Sequence, residues 1–141
     1  MSNLSFRIIG IKTEQFAIIE ENFSEKKKSE VITDLEFKAN NKTFQIGVFT
    51  TFTFKSANKP FIILQISCVF EIEEASWNGY NNANKVVFPQ DFMTHLTMMT
   101  IGTARGVLHS KTEGTPFNRF ILPTIKVPEL VTDDVEFEFK D

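Results

Sequence analysis

The chain has 141 residues and a mass of 16.2 kDa, a length that hides about 70% of the unfolded surface, so one domain spanning residues 1–141 is expected. Hydrophobic residues make up 42% and charged residues 23%, which excludes wholesale disorder. The formal net charge of -3 and the pI near 5.5 exclude a basic nucleic-acid groove or a polybasic membrane patch.

Residues 4–11 (LSFRIIGI) and 16–19 (FAII) are rich in β-branched and aromatic side chains and read as strand. They form one long strand if a break near residues 10–14 is allowed. Residues 22–30 (NFSEKKKSE), with Lys26, Lys27 and Lys28 in a row, read as a solvated loop. Alternation then becomes strict. Val31, Thr33, Leu35, Phe37 and Ala39 share one parity against Asp34, Glu36 and Lys38, the pattern of a half-buried antiparallel strand. Asn40 and Asn41 supply a turn.

The next strand covers residues 43–55. Phe44, Ile46, Val48, Phe52 and Phe54 point one way, and Gln45, Gly47, Phe49, Thr51, Thr53 and Lys55 the other. After a turn at residues 56–60, a third strand runs over 61–73. Its parity Ile62, Leu64, Ile66, Cys68, Phe70 and Ile72 is wholly apolar. The opposite parity starts apolar with Phe61 and Ile63 and ends at Glu71 and Glu73. The apolar face must be covered by another element, and the graded face suits partial coverage by another chain or a ligand, or else carries scattered surface apolar residues.

Residues 75–85 (ASWNGYNNANK) read as an Asn-rich loop carrying Trp77 and Tyr80. A helix begins at Pro89, which suits a first turn, with Asp91 at the positive end of the dipole. It is expected to reach about His109 or Ser110, with Phe92, Met93, Leu96, Met99 and Ala104 as its apolar stripe. Gly102 and Gly106 lie four apart within it, a flat patch that favours a close crossing, as with a symmetry mate. Residues 113–116 end the helix, and 117–123 read as extended. Residues 128–131 read as one helical turn, and Val135, Phe137 and Phe139 as a short terminal strand.

Signals for chemistry are thin. His95 and His109 stand about 21 Å apart along the helix and cannot share a metal within one chain. Cys68 sits on the apolar parity and reads as an inert core thiol. As the single cysteine it fits a reducing compartment. No GxSxG, HExxH or GxxxxGK[ST] occurs. No apolar run reaches the about 18 residues of a membrane span, and the opening MSNLSFRIIG lacks the layout of a signal peptide. The inventory favours a binding protein over an enzyme, with no cofactor or metal expected. Sixteen Phe stand against one Tyr and one Trp, and Phe left at a surface marks contact with something apolar.

The order of elements, with Phe6-Arg7-Ile8 at the start, Cys68-Val69-Phe70-Glu71-Ile72 closing the meander, Val86-Val87-Phe88-Pro89 leading into the helix and residues 120–125 (FILPTI) after it, resembles the SecB family of protein-export chaperones. That resemblance spans nearly the whole chain. It implies an α+β protomer, a four-stranded antiparallel sheet packed by one long helix, assembled as a tetramer (a dimer of dimers) with the main helices at the middle. It implies a cytoplasmic, ATP-independent holdase for unfolded precursor polypeptides that hands them to the SecA motor. Phe49, Phe61, Ile63, Trp77, Tyr80, Phe117 and Phe120 are then candidate client contacts. Glu14, Glu20, Glu71 and Glu73 are candidates for motor or partner docking, and His95, Met99, Gly102 and Gly106 for the oligomer interface. The chain departs from the family where Pro128 and an alternating tail replace a longer second helix, and where Ile63 stands in place of a docking acid. SecB-like relatives also serve as dedicated chaperones of toxin–antitoxin pairs, which is the alternative. The rival from another class is a hotdog-type acyl-CoA thioesterase or dehydratase using Asp91 and His95.

Overall fold

The structure, a computed structural model, describes residues 4–139. Strand β1 (Phe6–Ile18) leads through a single 3-10 turn at Glu20–Asn22 and a crossover to β2 (Ser29–Asn40), β3 (Gln45–Ser56) and β4 (Lys59–Ile72). These pair antiparallel in the order β1-β4-β3-β2. The first apolar stretches are one strand, as allowed, with two bulges that explain the broken alternation. Ile8 pairs with Phe70 and Gly10 with Val69, so Ile9 is extra. Thr13 pairs with Ile66 and Gln15 with Gln65, so Glu14 is extra. The bulges keep Phe6, Ile8, Ile11, Thr13, Phe16 and Ile18 in line with the apolar parity of β4.

The β2–β3 turn is built differently from expectation. The Asn40 Oδ1 accepts from the backbone N–H groups of Lys42 and Thr43, and Phe44, not Asn41, takes a positive φ of 55°. The β3–β4 turn uses Ala57 and Asn58, at φ 50° and 68°.

The segment read as an Asn-rich loop is a correction. It holds a short helix α1 (Glu74–Asn78) and a two-residue strand β5 (Asn81–Asn82). Strand β6 (Lys85–Phe88) follows, and β7 (Val135–Glu138), expected as a terminal strand, pairs with it to complete a small sheet of order β5-β6-β7. This sheet forms because Trp77, Val86 and Phe88 need a shared apolar seat, and all three are fully buried.

Helix α2 (Gln90–Thr112) lies over β3 and β4. Its Met93, Leu96, Ala104 and Leu108 meet the apolar parity of the two central strands, where Val48, Phe52, Leu64, Ile66, Cys68 and Phe70 are all at 0% exposure. Buried Thr97, Thr100 and Thr112 satisfy their hydroxyls on carbonyls four residues back. The Asp134 carboxylate accepts from the Gln90 N–H at 2.8 Å and closes the first turn. At the other end Gly114, at φ 78°, lets the chain reverse, and the Thr115 hydroxyl accepts from the Phe117 N–H at 3.1 Å.

After α2 the chain returns along the helix. A 3-10 turn at Pro116–Arg119 gives way to an extended strap that ends in a second such turn at Val127–Glu129. The Arg105 guanidinium fastens the strap by donating to the carbonyls of Leu122 and Pro123, at 3.2 and 2.9 Å. The strap takes one flank of α2, over Ile101 and Arg105, and Phe6 takes the opposite flank at Phe92, nine residues and half a revolution away.

Candidate functional site

Five phenylalanine rings converge where the crossover, the β3–β4 hairpin end and the start of the strap meet. Phe23 lies 4.9 Å from Phe61, 5.6 Å from Phe117 and 5.5 Å from Phe120. Phe54 lies 6.2 Å from Phe61 and 6.0 Å from Phe120. Phe61 also meets Phe120 at 5.0 Å. Most of the contacts are tilted or edge-on, the geometry aromatic quadrupoles favour.

The presence of Phe61 here corrects the parity reading. Phe54 pairs with Ile62 and Lys55 with Pro60, so Phe61 is the extra residue of a bulge. The bulge turns its ring to the helix side, beside Phe54, and leaves Ile63 on the opposite face.

The rim of the cluster is charged. The Arg119 guanidinium sits 5.2 Å above the Phe23 ring and 5.1 Å above the Phe120 ring. It also reaches the Glu25 carboxylate at 3.4 Å. Both charged side chains are more than half exposed, so the pair adds orientation rather than much stability.

From the cluster an apolar shelf runs along β2. Val31, Leu35, Phe37 and Ala39 share the helix side of the sheet and are half-buried, because α2 covers β3 and β4 and stops short of β2. Strand β2 pairs with β3 alone, so its outer main chain meets no other strand among the described residues. The shelf therefore offers apolar side chains beside an unpaired strand edge, which suits an extended polypeptide.

The remaining expected client contacts are scattered. Phe117 and Phe120 join the cluster, Phe117 buried and Phe120 half-buried. Phe49 and Ile63 are half-buried on the far face of the sheet, where Lys38 lies 4.8 Å over the Phe49 ring. Trp77 is fully buried, with its Nε1–H donating to Asn41 Oδ1 at 2.7 Å, and Tyr80 packs against Phe88 at 6.1 Å. Both lie at the opposite end of β4 from Phe61, about 35 Å along the strand at the usual rise. Phe61 and Trp77, both at 0% exposure, are not presented to a partner in this conformation.

Sequence reasoning missed Phe23 and Arg119. The available signal was the single large apolar residue in an otherwise charged loop.

The four candidate acids do not converge as a set, although Glu71 and Glu73 line one hollow with Ser5, Phe6 and Arg7. Glu14 occupies a β1 bulge, accepts from the Ser67 hydroxyl at 2.9 Å and pairs with Lys12 at 3.5 Å. Glu71 pairs with Arg7 at 2.9 Å near the far end of β4. Glu20 and Glu73 are exposed at opposite ends of the sheet.

On α2, His95, Gly102 and Gly106 lie on the outward face together with Met98, which is 55% exposed, whereas Met99 is half-buried on its shoulder. A Cβ built at either glycine meets nothing within 4 Å, so no close crossing occurs within the protomer. His95 is exposed and edge-on to Phe6 at 5.8 Å, and the Asp91 carboxylate accepts from the Phe92 N–H. The strands precede the helix and the four-stranded sheet stays open, unlike a hotdog sheet wrapped around its helix. Among the described residues no group of three or more His, Cys, Asp or Glu is placed to hold a metal, and no helix is long and apolar enough to cross a membrane.

No protein-family model and no curated protein matches the chain. Among solved structures, the chain is similar to the SecB-like chaperone Rv1957 of Mycobacterium tuberculosis, determined in complex with a ChAD peptide from the Rv1956 HigA1 antitoxin. That match has a TM-score of 0.51 at 10% sequence identity and covers 86% of this chain and 91% of the other. A protein of unknown function from Streptococcus agalactiae also aligns, with a TM-score of 0.42 at 16% identity over 88% of this chain and 99% of that one. The α+β architecture, an antiparallel four-stranded sheet under one main helix, is thus consistent with the fold of that SecB-like chaperone.

Proposed function

We propose that this chain is a cytoplasmic, ATP-independent holdase that binds extended apolar segments of unfolded polypeptides. The observation that carries the reading is the half-buried apolar shelf of β2 beside its unpaired strand edge, met at one end by the half-buried rings of Phe23 and Phe120 over the buried Phe54, Phe61 and Phe117. Aromatic surface gives large, sequence-tolerant contact, and an unpaired strand edge adds main-chain hydrogen bonds without demanding a sequence. The outward face of α2, with His95, Met98, Gly102 and Gly106, is our choice for the contact between copies in a tetramer. Several grooves on one particle would then act on one client with avidity.

Aggregation of a chemically unfolded precursor, followed by light scattering without nucleotide, tests the reading. The protein is expected to suppress scattering near equal molar amounts. Leu35→Asp with Phe37→Asp should abolish suppression while the circular dichroism spectrum is retained. No suppression by the unaltered protein would end the holdase reading.

Two client classes follow. Export precursors require docking to SecA through Glu14, Glu20, Glu71 or Glu73, and a direct binding measurement with SecA decides that. A dedicated antitoxin client is favoured by the structural neighbour, whose ligand is an antitoxin peptide. Co-purification with a cognate antitoxin tests it.

A further inference from the structure

The aromatic cluster already contains a guest from its own chain. Phe23 is the single large apolar residue between Glu20 and Glu30, yet its ring is half-buried among Phe61, Phe117 and Phe120. Its backbone is extended, at φ −88° and ψ 136°. The flanking residues are tied down as a bound peptide would be. Asn22 Nδ2 donates to the Pro60 carbonyl at 2.8 Å, and the Ser24 N–H donates to the Ser56 hydroxyl at 3.2 Å, which donates back to the Ser24 carbonyl at 3.3 Å. Glu25, two positions on, opens the turn that the Lys27 N–H closes on the Ser24 carbonyl at 3.2 Å, and from there it meets Arg119, the cation that also covers the Phe23 ring.

We propose that residues 22–25 are a resident pseudo-ligand, and that the site selects client segments in which an aromatic residue is followed two positions later by a carboxylate. The aromatic ring takes the place of Phe23 among the phenylalanines. The carboxylate takes the place of Glu25 on Arg119. This rests on the holdase reading and adds a client preference to it, together with an intramolecular competitor that a client must displace.

The test uses the full chain and fluorescein-labelled peptides carrying Phe-Ser-Glu, Phe-Ser-Lys or Ala-Ser-Glu in an otherwise constant Ala/Ser frame, titrated by anisotropy. The unaltered protein should prefer Phe-Ser-Glu over Phe-Ser-Lys by about threefold, the range of an exposed ion pair. It should bind Ala-Ser-Glu weakest. Removing the competitor with Phe23→Ala should tighten Phe-Ser-Glu binding by about tenfold, the scale of one buried aromatic side chain. Glu25→Ala should tighten it by about twofold, and Arg119→Glu should invert the preference in favour of Phe-Ser-Lys. Glu25 and Arg119 are exposed, so those two variants carry the test if Phe23→Ala fails to fold. Unchanged or weaker peptide binding in folded Phe23→Ala, or an unaltered charge preference in Arg119→Glu, overturns the inference. If the protein still suppresses precursor aggregation in that case, the inference alone fails. Absence of both peptide binding and suppression removes the holdase reading with it.

Discussion

Trp77 shows how a single side chain holds the small sheet to the large one. Its ring is edge-on to Phe44 at 5.8 Å and to Phe88 at 5.1 Å, and its indole N–H satisfies Asn41 in the β2–β3 turn. Trp77→Phe keeps most of the packing and loses the hydrogen bond, so urea unfolding should report a loss of about 1–2 kcal/mol. Cys68 gives a second readout. Burial pushes its thiol pKa up against the smaller opposing effect of the neighbouring Thr100 and Thr103 hydroxyls. The folded state therefore keeps the proton to higher pH than the unfolded chain does. That contribution to stability is complete below the ordinary thiol range and is lost as pH rises through the folded value. The urea midpoint should accordingly fall above about pH 8.5, and a thiol reagent at neutral pH should label Cys68 only on unfolding. Fast labelling of the native protein would contradict its burial.

At the scale of elements, the sequence was readable wherever one periodicity ran unbroken. Alternation in Val31, Thr33, Leu35, Phe37 and Ala39 matches β2 residue for residue, and the apolar parity of β4 matches the surface under α2. The helix ends at Thr112, two residues beyond the expected limit, because the Thr112 hydroxyl and the Thr115 cap extend the last turn. Bulges were what hid the rest. An extra residue reverses parity downstream, so Phe61 was assigned to the wrong face, and with it the partnership with Phe54 was lost. Phe23 announces itself only by standing alone among charged neighbours, and its partners Phe117 and Phe120 lie nearly a hundred positions away, so the sequence does not say what buries its ring. The glycines of α2 make a separate point. Neither has a contact to lose within the protomer, so Gly102→Ala and Gly106→Ala should each stabilise an isolated protomer by about 1 kcal/mol through helix propensity. Gly106→Leu should preserve the circular dichroism spectrum yet lower the solution mass measured by light scattering. An unchanged mass would remove this face from the oligomer contact.

For the whole molecule, the arrangement divides labour between two ends of one sheet. The end with Trp77, Phe88 and Phe137 is closed by the small sheet, whose strand β7 anchors the chain's return. The end with Phe23, Phe61 and Phe120 is closed only by loops, one of them carrying Lys26, Lys27 and Lys28 in the open. Local opening should therefore begin at the loop-closed end, where side-chain stacking rather than a strand ladder holds the surface together. Hydrogen exchange is expected to be faster over residues 19–28 and 116–126 than over β3, β4 or the middle of α2. Equal protection of those two loops and the central strands would argue against a site that opens to admit a client.

The two borders of the main sheet are unequal. Strand β1 is interrupted at Ile9 and Glu14, and each interruption twists the border away from a straight template. Strand β2 keeps a continuous register over all twelve of its residues and contains no proline. Its exposed parity carries Glu30, Asp34 and Glu36 together with Lys38, and in-register parallel pairing with a second copy would set each of these charges against its like and so be opposed. That restraint weakens as salt shortens the reach of charge to about 3 Å at 1 M. In the proposed holdase role, the border that would add a client's strand is thus the same border that a second copy could pair with once its charges are screened.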